Sequence, residues 1–431
     1  MKKILREFRE IIRGGAMYIL SGSILVKAIT MISSILIARF VDKNDYAYYT
    51  YGNNFYQYIS LLDGLGLATA LLIFCNVNMT PEKKKAYFNF ALRLGAGIQL
   101  TAAAGLCIAA AFIPLPFPQA KKYIYLQALL PAITFVAHML MMQARVDQKN
   151  KVYSFTGVIQ AIVVLAAGTT LVWFLDVYGI IASHYLSSIV GICFVALFFK
   201  KFLFSTKADV LDRDEKKKYI KTGISLIIAS LFSSMMPVNE AFLVNNIIQD
   251  ETVIANFKIA GLFPQQLLLV TGALMTYYFP VISAIKDPAK QWSKIKKIGA
   301  INFVIVIFVA GIGALLTPFA IRLLYGTKYV DAIPLTYIHW LMRTVNAAIR
   351  MVPMNMLPAI GFLKFNSVSA MVSCVAQTVL DYILISLFGV TGAVYGAVIV
   401  YLLSAAVTWW YIRHVLKKRI REEKKYPQTN E

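Results

Sequence analysis

His339, Arg343, Asn346 and Arg350 follow one another at i, i+4, i+7 and i+11, a spacing that keeps four polar side chains on one face of a helix. On a straight helix the two arginines stand about 10 Å apart along the axis. Guanidinium forks so placed suit phosphate oxygens, which arginine holds through paired, charge-assisted hydrogen bonds. A plainer reading stays open, in which Asp381 or Glu240 neutralises each arginine inside a bundle. A similar stripe runs through Ser23, Lys27 and Thr30, with Arg39 farther along, suited to a ligand or to snorkelling toward an interface. Asn53, Gln57, Ser60 and Asp63 form a third, looser polar face. Ser373, Gln377 and Asp381 recur every four residues, and Lys258 and Gln265 lie seven apart.

The elements that carry these side chains are apolar. Of 431 residues 59% are hydrophobic and only 15% charged, the profile of a polytopic membrane protein. Lys27, Asp63, Glu240, Lys258, Arg343, Arg350 and Asp381 each sit deep in an apolar run. An uncompensated charge there costs about 2.5–3.5 kcal/mol on insertion scales. A chain that keeps so many must enclose a polar cavity, and four of these seven are basic, which favours an anionic occupant. Runs of about twenty or more apolar residues number about twelve. The expected fold is therefore an all-α polytopic membrane protein with about 12 transmembrane helices in two six-helix lobes. Residues 1–205 would form the first lobe and 206–431 the second, which ends in a short basic cytoplasmic tail. The charged linker 200–218 divides them.

Charge follows topology. About 31 of the 43 Lys and Arg fall in alternate connections and at both ends, among them Lys2, Lys3, Arg6, Arg9 and Arg13. The positive-inside rule puts that side, with both termini, in the cytoplasm. The net charge of +22 is then a topology signal with affinity for anionic membrane lipids, and nucleic acid is not an expected partner. Asp63, Glu240 and Asp381 either balance the buried cations or bind a coupling ion, H⁺ or Na⁺. The four cysteines stand singly in apolar runs and imply neither a disulfide nor a metal site. No nucleophile sits with a base and no metal-ligand set appears, so no catalytic residues, no metal and no cofactor beyond such an ion are expected. The halves look weakly alike at a period of about 210 residues, as in parallel-repeat transporters. Gly179-x-x-Ala182 and Gly392-x-x-Tyr395-Gly396 are the clearest echo, and polar turns at Asp42–Asp45 and Gln249–Glu251 are another.

The run from Gly15 through Ala38-Arg39-Phe40, the pair Asp45-Tyr46 and the segment Leu62-Asp63-Gly64-Leu65-Gly66-Leu67-Ala68-Thr69-Ala70 resemble the Wzx-type oligosaccharide flippase, or polysaccharide biosynthesis, family. That family belongs to the multidrug/oligosaccharidyl-lipid/polysaccharide exporter superfamily. Tyr278-Phe279-Pro280-Val281-Ile282-Ser283 is similar too. The resemblance implies a V-shaped, MATE-like fold in the bacterial cytoplasmic membrane. It also implies alternating access and a cationic cavity for an undecaprenyl-pyrophosphate-linked glycan moved from the inner to the outer leaflet. The polysaccharide polymerase machinery is a candidate partner. Lys27 and Arg39 look like the family's basic first-helix contacts, with Arg343 and Arg350 in a similar cavity role. Lys258 completes the cationic set; Ser23, Thr30, Gln57, His339, Asn346 and Gln377 supply polar wall. A multidrug or cation antiporter of the same superfamily is the alternative, although it would want an acidic or aromatic cavity. A polytopic glycan polymerase or glycosyltransferase is a third, disfavoured by the short outer loops.

Overall fold

A computed structural model describes residues 16–75 and 79–425; the N-terminal group Lys2, Lys3, Arg6, Arg9 and Arg13 lies outside the described residues. Every regular element among them is helical. In a chain bathed by hydrocarbon, a helix satisfies its own backbone, so apolar runs have little other choice. We number the helices α1 (Ala16–Phe40), α2 (Lys43–Leu61), α3 (Leu67–Phe74), α4 (Pro81–Phe112), α5 (Lys121–Gln127), α6 (Leu130–Val146), α7 (Asn150–Leu175), α8 (Val177–Phe198), α9 (Arg213–Ile248), α10 (Glu251–Gln265), α11 (Leu267–Ser283), α12 (Pro288–Tyr325), α13 (Ile333–Val345), α14 (Met351–Ala359), α15 (Leu363–Phe388) and α16 (Val390–Lys425). Eleven helical stretches of the described residues are long and apolar enough to cross a membrane. The tenth expected span, 332–357, is not among them. Its charged stripe lowers its hydropathy, and it folds as α13, a π turn at Asn346–Arg350 and α14.

Burial is inverted relative to a water-soluble protein. Phe112, Phe174 and Leu315 are 85%, 83% and 82% exposed, whereas Asp381 and Glu240 are 0% and 2% exposed. An outer surface this apolar is one that lipid, not water, can cover.

Contacts divide the chain into two compact units, one through Leu231 and the other from Phe232. The division falls within α9. In the first unit α1 packs on α7, α7 on α8, and α6 on α4 and α8. Residues 200–218 and the start of α9 are tied down in this unit. Lys83 pairs with Glu215 at 2.8 Å, Lys85 Nζ donates to the Leu203 carbonyl at 2.9 Å, and Tyr219 Oη donates to that of Leu67 at 2.6 Å. In the second unit α15 packs on α16, α10 on α13, and α12 on α13 and α16.

One span of the first unit is broken in mid-course. Asp63, Gly64, Leu65 and Gly66 all have positive φ, from 38° to 73°, a left-handed turn between α2 and α3. Asp63 and Leu65 adopt it at a steric cost of about 1–2 kcal/mol each. The surroundings hold it in place. With its amide turned to suit the neighbouring donors and acceptors, Gln99 of α4 donates to the Ile59 carbonyl at 2.9 Å and accepts the Asp63 N–H at 3.3 Å. Gly64 and Gly95 leave room for the Phe135 ring, and a Cβ on Gly66 would strike the Gly223 carbonyl.

The two units share one hairpin. Asp176 N–H donates to the Val172 carbonyl at 2.9 Å and Gly179 N–H to that of Asp176 at 2.9 Å. Gly389 and Gly392, each 213 positions on, do the same with Ile385 and Gly389 at 2.8 and 2.9 Å. The hinge residues Asp176 and Gly389 have φ of 50° and 63°. A Cβ on Gly179 or Gly392 would meet the backbone carbonyl of Leu171 or Leu384. The equivalence ends where polarity is needed. Gly168 faces Ser183 in the first unit, and at the matching positions Asp381 faces Gly396 in the second, with Asp381 Oδ1 filling the space a Gly396 Cβ would take.

Gly179→Ala and Gly392→Ala should therefore each lower stability by about 1–3 kcal/mol, and by similar amounts because the packing is the same. Thermal unfolding of the two variants in detergent checks this, and a cost at only one position would deny the equivalence.

Candidate functional site

Each unit holds its own polar constellation. In the first, α1 presents Ser23, Lys27 and Thr30 one turn apart, and all three line a cavity of about 490 Å³, within the range of about 300–1,000 Å³ usual for small-ligand pockets. The far wall comes from α6, α7 and α8 and includes His138, Ser154, Gln160, His184, Ser187 and Ser188. Lys27 is exposed, and no carboxylate of the described residues lies within 4.0 Å of its ammonium. Asp63 does not face Lys27 as a counter-ion; its Oδ1 is 2.9 Å from His138 Nδ1. Arg39, exposed in the last turn of α1, and Gln57, half-buried on α2, are not among the cavity residues.

In the second unit the sequence stripes meet away from solvent. Gln377 on α15 donates through Nε2 to Asp381 Oδ2 at 3.2 Å and to Glu240 Oε2 of α9 at 3.5 Å. One amide thus bridges two carboxylates. Arg343, 8% exposed, lies close enough for its charge to act on Glu240, Lys258 and His339. The His339 ring packs against Phe257 of α10 at 4.9 Å between centroids. No carboxylate of the described residues comes within 4.0 Å of Lys258, Arg343 or Arg350. Neutralisation of the arginines by direct ion pairs with Asp381 or Glu240 is therefore not how they are held.

Arg350 finds neutral partners instead. Its guanidinium donates to Ser404 Oγ and Asn346 Oδ1, both at 3.3 Å, and to Met236 Sδ at 3.5 Å, and it stands 5.0 Å from the Tyr401 ring centroid. A cation over an aromatic face, out of water, is worth about 2 kcal/mol. The expected straight ladder of arginines is corrected by the π turn, whose wider coil changes the angle between Arg343 and Arg350 about the helix axis. That turn frees carbonyls of the helix, and side chains from three other helices take them up. Thr271 of α11 donates to Ala347 at 3.1 Å, Asn302 of α12 to Ala347 at 2.8 Å, and Trp409 of α16 to Ile349 at 3.1 Å.

Five polar atoms of this cluster are buried with no hydrogen-bond partner: Arg343 Nε, both ring nitrogens of His339, Gln377 Oε1 and Asp381 Oδ1. These atoms keep hydrogen-bonding capacity that the surrounding protein does not use. Three formal cations face two carboxylates, so the cluster carries an excess of positive charge. Sequence reasoning missed Tyr401, Ser404 and Met236, which sit in apolar runs without a local signal, and the Asp63–His138 contact, whose partners are 75 positions apart. Gly396 stood in a recognised motif, but nothing in the motif connects it with Asp381. Among the described residues no group of three or more His, Cys, Asp or Glu is arranged to hold a metal ion.

Comparison with known proteins gives a family and a fold. A family described as "Polysaccharide biosynthesis protein" matches residues 12–286. No curated protein matches the chain. Among solved structures, an inward-facing multidrug resistance MATE family transporter of the MOP superfamily is similar at 15% identity and a TM-score of 0.75, over 91% of this chain and 95% of that one. An outward-facing MATE transporter is similar at 16% identity and 0.62, over 93% and 96%. A MOP superfamily transporter from Pyrococcus furiosus, titled for the reverse polarity of its binding pocket, is similar at 16% and 0.64, over 94% and 95%. This chain therefore has the fold of those transporters and is a multi-pass membrane protein.

The packing of Asp381 on Gly396 makes a separable prediction. Gly396→Ala should destabilise by about 1–3 kcal/mol, and Asp381→Ala should suppress that cost in the double variant. A thermodynamic cycle on detergent-solubilised protein reads the coupling; additive costs would mean that the two residues do not compete for the same space.

Proposed function

Because the chain belongs to the polysaccharide biosynthesis family, whose model covers well over half of it, we propose that it is a flippase for a lipid-linked oligosaccharide. Family and fold together support a membrane exporter. The finer reading is an undecaprenyl-pyrophosphate-linked glycan carried from the inner to the outer leaflet of the bacterial cytoplasmic membrane by alternating access. The observation that carries it is Lys27, a cation at mid-span with no carboxylate of the described residues within 4.0 Å, whose side chain opens on a cavity walled by hydroxyls, amides and imidazoles. A lysine in that setting suits a phosphate neighbouring a sugar.

In this reading Lys27 takes the pyrophosphate on loading, with Arg39 in a flanking role. Lys258, Arg343 and Arg350 supply positive potential from the second unit during the cycle. An inside-negative membrane assists outward movement of the anion by about 2.3 kcal/mol per charge per 100 mV. Glu240 and Asp381, bridged by Gln377, are the proposed site for a coupling ion, H⁺ or Na⁺. The basic residues Arg213, Lys216, Lys217 and Lys221 at the start of α9, which line a shallow surface recess with Ile220 and Ile224, suit anionic lipid headgroups.

Two outcomes follow. In vesicles reconstituted with full-length protein, Lys27→Glu should slow transfer of a glycosylated lipid pyrophosphate at least about tenfold, equivalent to ~1.4 kcal/mol, while Lys27→Arg stays near the parent. An unchanged rate in Lys27→Glu would remove the docking role. Glu240→Gln with Asp381→Asn should abolish the response of the rate to an imposed H⁺ or Na⁺ gradient and leave the response to membrane potential. Export of a cationic dye in the same vesicles, without glycolipid transfer, would favour the antiporter reading instead.

A further inference from the structure

The cavity of the first unit has a chemical polarity that its residue names conceal. Four of its hydroxyl protons are already committed. Ser23 Oγ donates to the Ile19 carbonyl at 2.7 Å, Ser187 to that of Gln160 at 2.9 Å, Ser188 to that of His184 at 3.0 Å, and Thr134 to that of Leu130 at 2.9 Å. What these groups turn toward other partners is oxygen lone pairs. His138 behaves in the same way. Its Nδ1 is 2.9 Å from Asp63 Oδ1; an ionised carboxylate can only accept, so Nδ1 carries the proton, and Nε2 is an acceptor when the ring holds that proton alone. The wall is thus rich in acceptors, and Lys27 is its cationic donor. A phosphate, which brings acceptors alone, is matched by Lys27 and by the few remaining donors, among them the Thr30 and Ser154 hydroxyls and the Gln160 amide. A sugar ring, which brings hydroxyl donors, is matched by the rest.

The backbone is bent for the sake of this arrangement. Asp63 has a φ of 38°, an expensive conformation for a residue with a Cβ, and the turn that holds it there is supported from three sides. Gln99 of α4, only 1% exposed, satisfies the Ile59 carbonyl and the Asp63 N–H. Phe135 fills the space over Gly64 and Gly95, and the Gly223 carbonyl closes on Gly66. Strain maintained by this much surrounding structure marks a functional position.

We propose that this cavity is the sugar subsite of the transported lipid: His138 Nε2 accepts a hydroxyl or amide hydrogen from the sugar next to the phosphate, and Asp63 is the positioning residue that fixes the imidazole. The proposal rests on the lipid-linked saccharide reading and adds to it which residues meet the sugar. A site built to hydrogen-bond a substrate hydroxyl discriminates strongly against an analogue that lacks it.

The test compares two probes on full-length protein in nanodiscs: undecaprenyl pyrophosphate, and the same lipid bearing one N-acetylhexosamine. The parent protein should bind the glycosylated probe at least tenfold more tightly. His138→Phe and Asp63→Asn should erase that preference while leaving the bare pyrophosphate within twofold. His138→Gln, which keeps an acceptor oxygen, should restore part of it, and Lys27→Ala should weaken both probes alike. Nitrogen NMR of ¹⁵N-histidine protein supplies a second readout, in which Asp63→Asn changes the tautomer signal of one imidazole and sugar binding shifts the same signal in the parent. Equal loss for both probes in His138→Phe, or no loss for either, would overturn the proposal. So would a parent protein that binds both probes equally, a result that leaves the flippase reading standing; binding of neither probe would take down that reading and the proposal together.

Discussion

A polar group inside a helical bundle that faces hydrocarbon has to be satisfied by the protein itself, and the irregular parts of this fold are organised by that demand. Wherever a helix departs from the α form, side chains from other helices take over the backbone it exposes. Gln99 does this at the left-handed turn between α2 and α3. Thr271, Asn302 and Trp409 do it at the π turn between α13 and α14. Both irregularities adjoin the residues with chemical potential: Asp63 in one case, Asn346 and Arg350 in the other. The polar side chains that look stranded in the sequence include those that repair backbone and those that bond one another, as Asp63 and His138 do.

The two units spend polarity differently. In the first, Lys27 opens on a cavity, and Asp63 is occupied by an imidazole. In the second, Arg343, Arg350, Glu240 and Asp381 are packed out of solvent with Lys258 half-buried; a hydroxyl, a thioether and an aromatic face hold Arg350 and an amide holds the two carboxylates, instead of direct ion pairs. Breaking a buried, hydrogen-bonded charge cluster at one member is costly, whereas changing an exposed cation costs the fold little. Substitutions at Arg343 or Arg350 therefore mix loss of fold with loss of function, and Lys27 separates them.

The broad architecture was legible because it depends on local properties. Run length gives spans, and helical periodicity puts Ser23, Lys27 and Thr30 on one wall. The stripe from His339 to Arg350 was legible only as far as Arg343, because the π turn beyond it depends on Thr271, Asn302 and Trp409, distant in sequence and with no shared signature. His138 and Asp63 are individually visible as polar residues in apolar runs, but their pairing requires the left-handed turn. That turn in turn requires Phe135, Gly95 and Gln99. Arg39 and Gln57 have the right types and positions along their helices but are not part of the cavity wall, since spacing along a helix fixes a face and not what that face meets.

The matched hairpins restrict the history open to the carboxylate at 381. Anything larger than hydrogen on residue 396 would displace Asp381 Oδ1 from its present position, and the corresponding position of the first unit carries Ser183. Starting from a duplicated unit with glycine on one helix and serine on the other, the serine must shrink before the glycine can grow an acid. The reverse order passes through a clash between the two helices. From that starting point, acquisition of the buried acid depends on prior loss of a side chain across the interface.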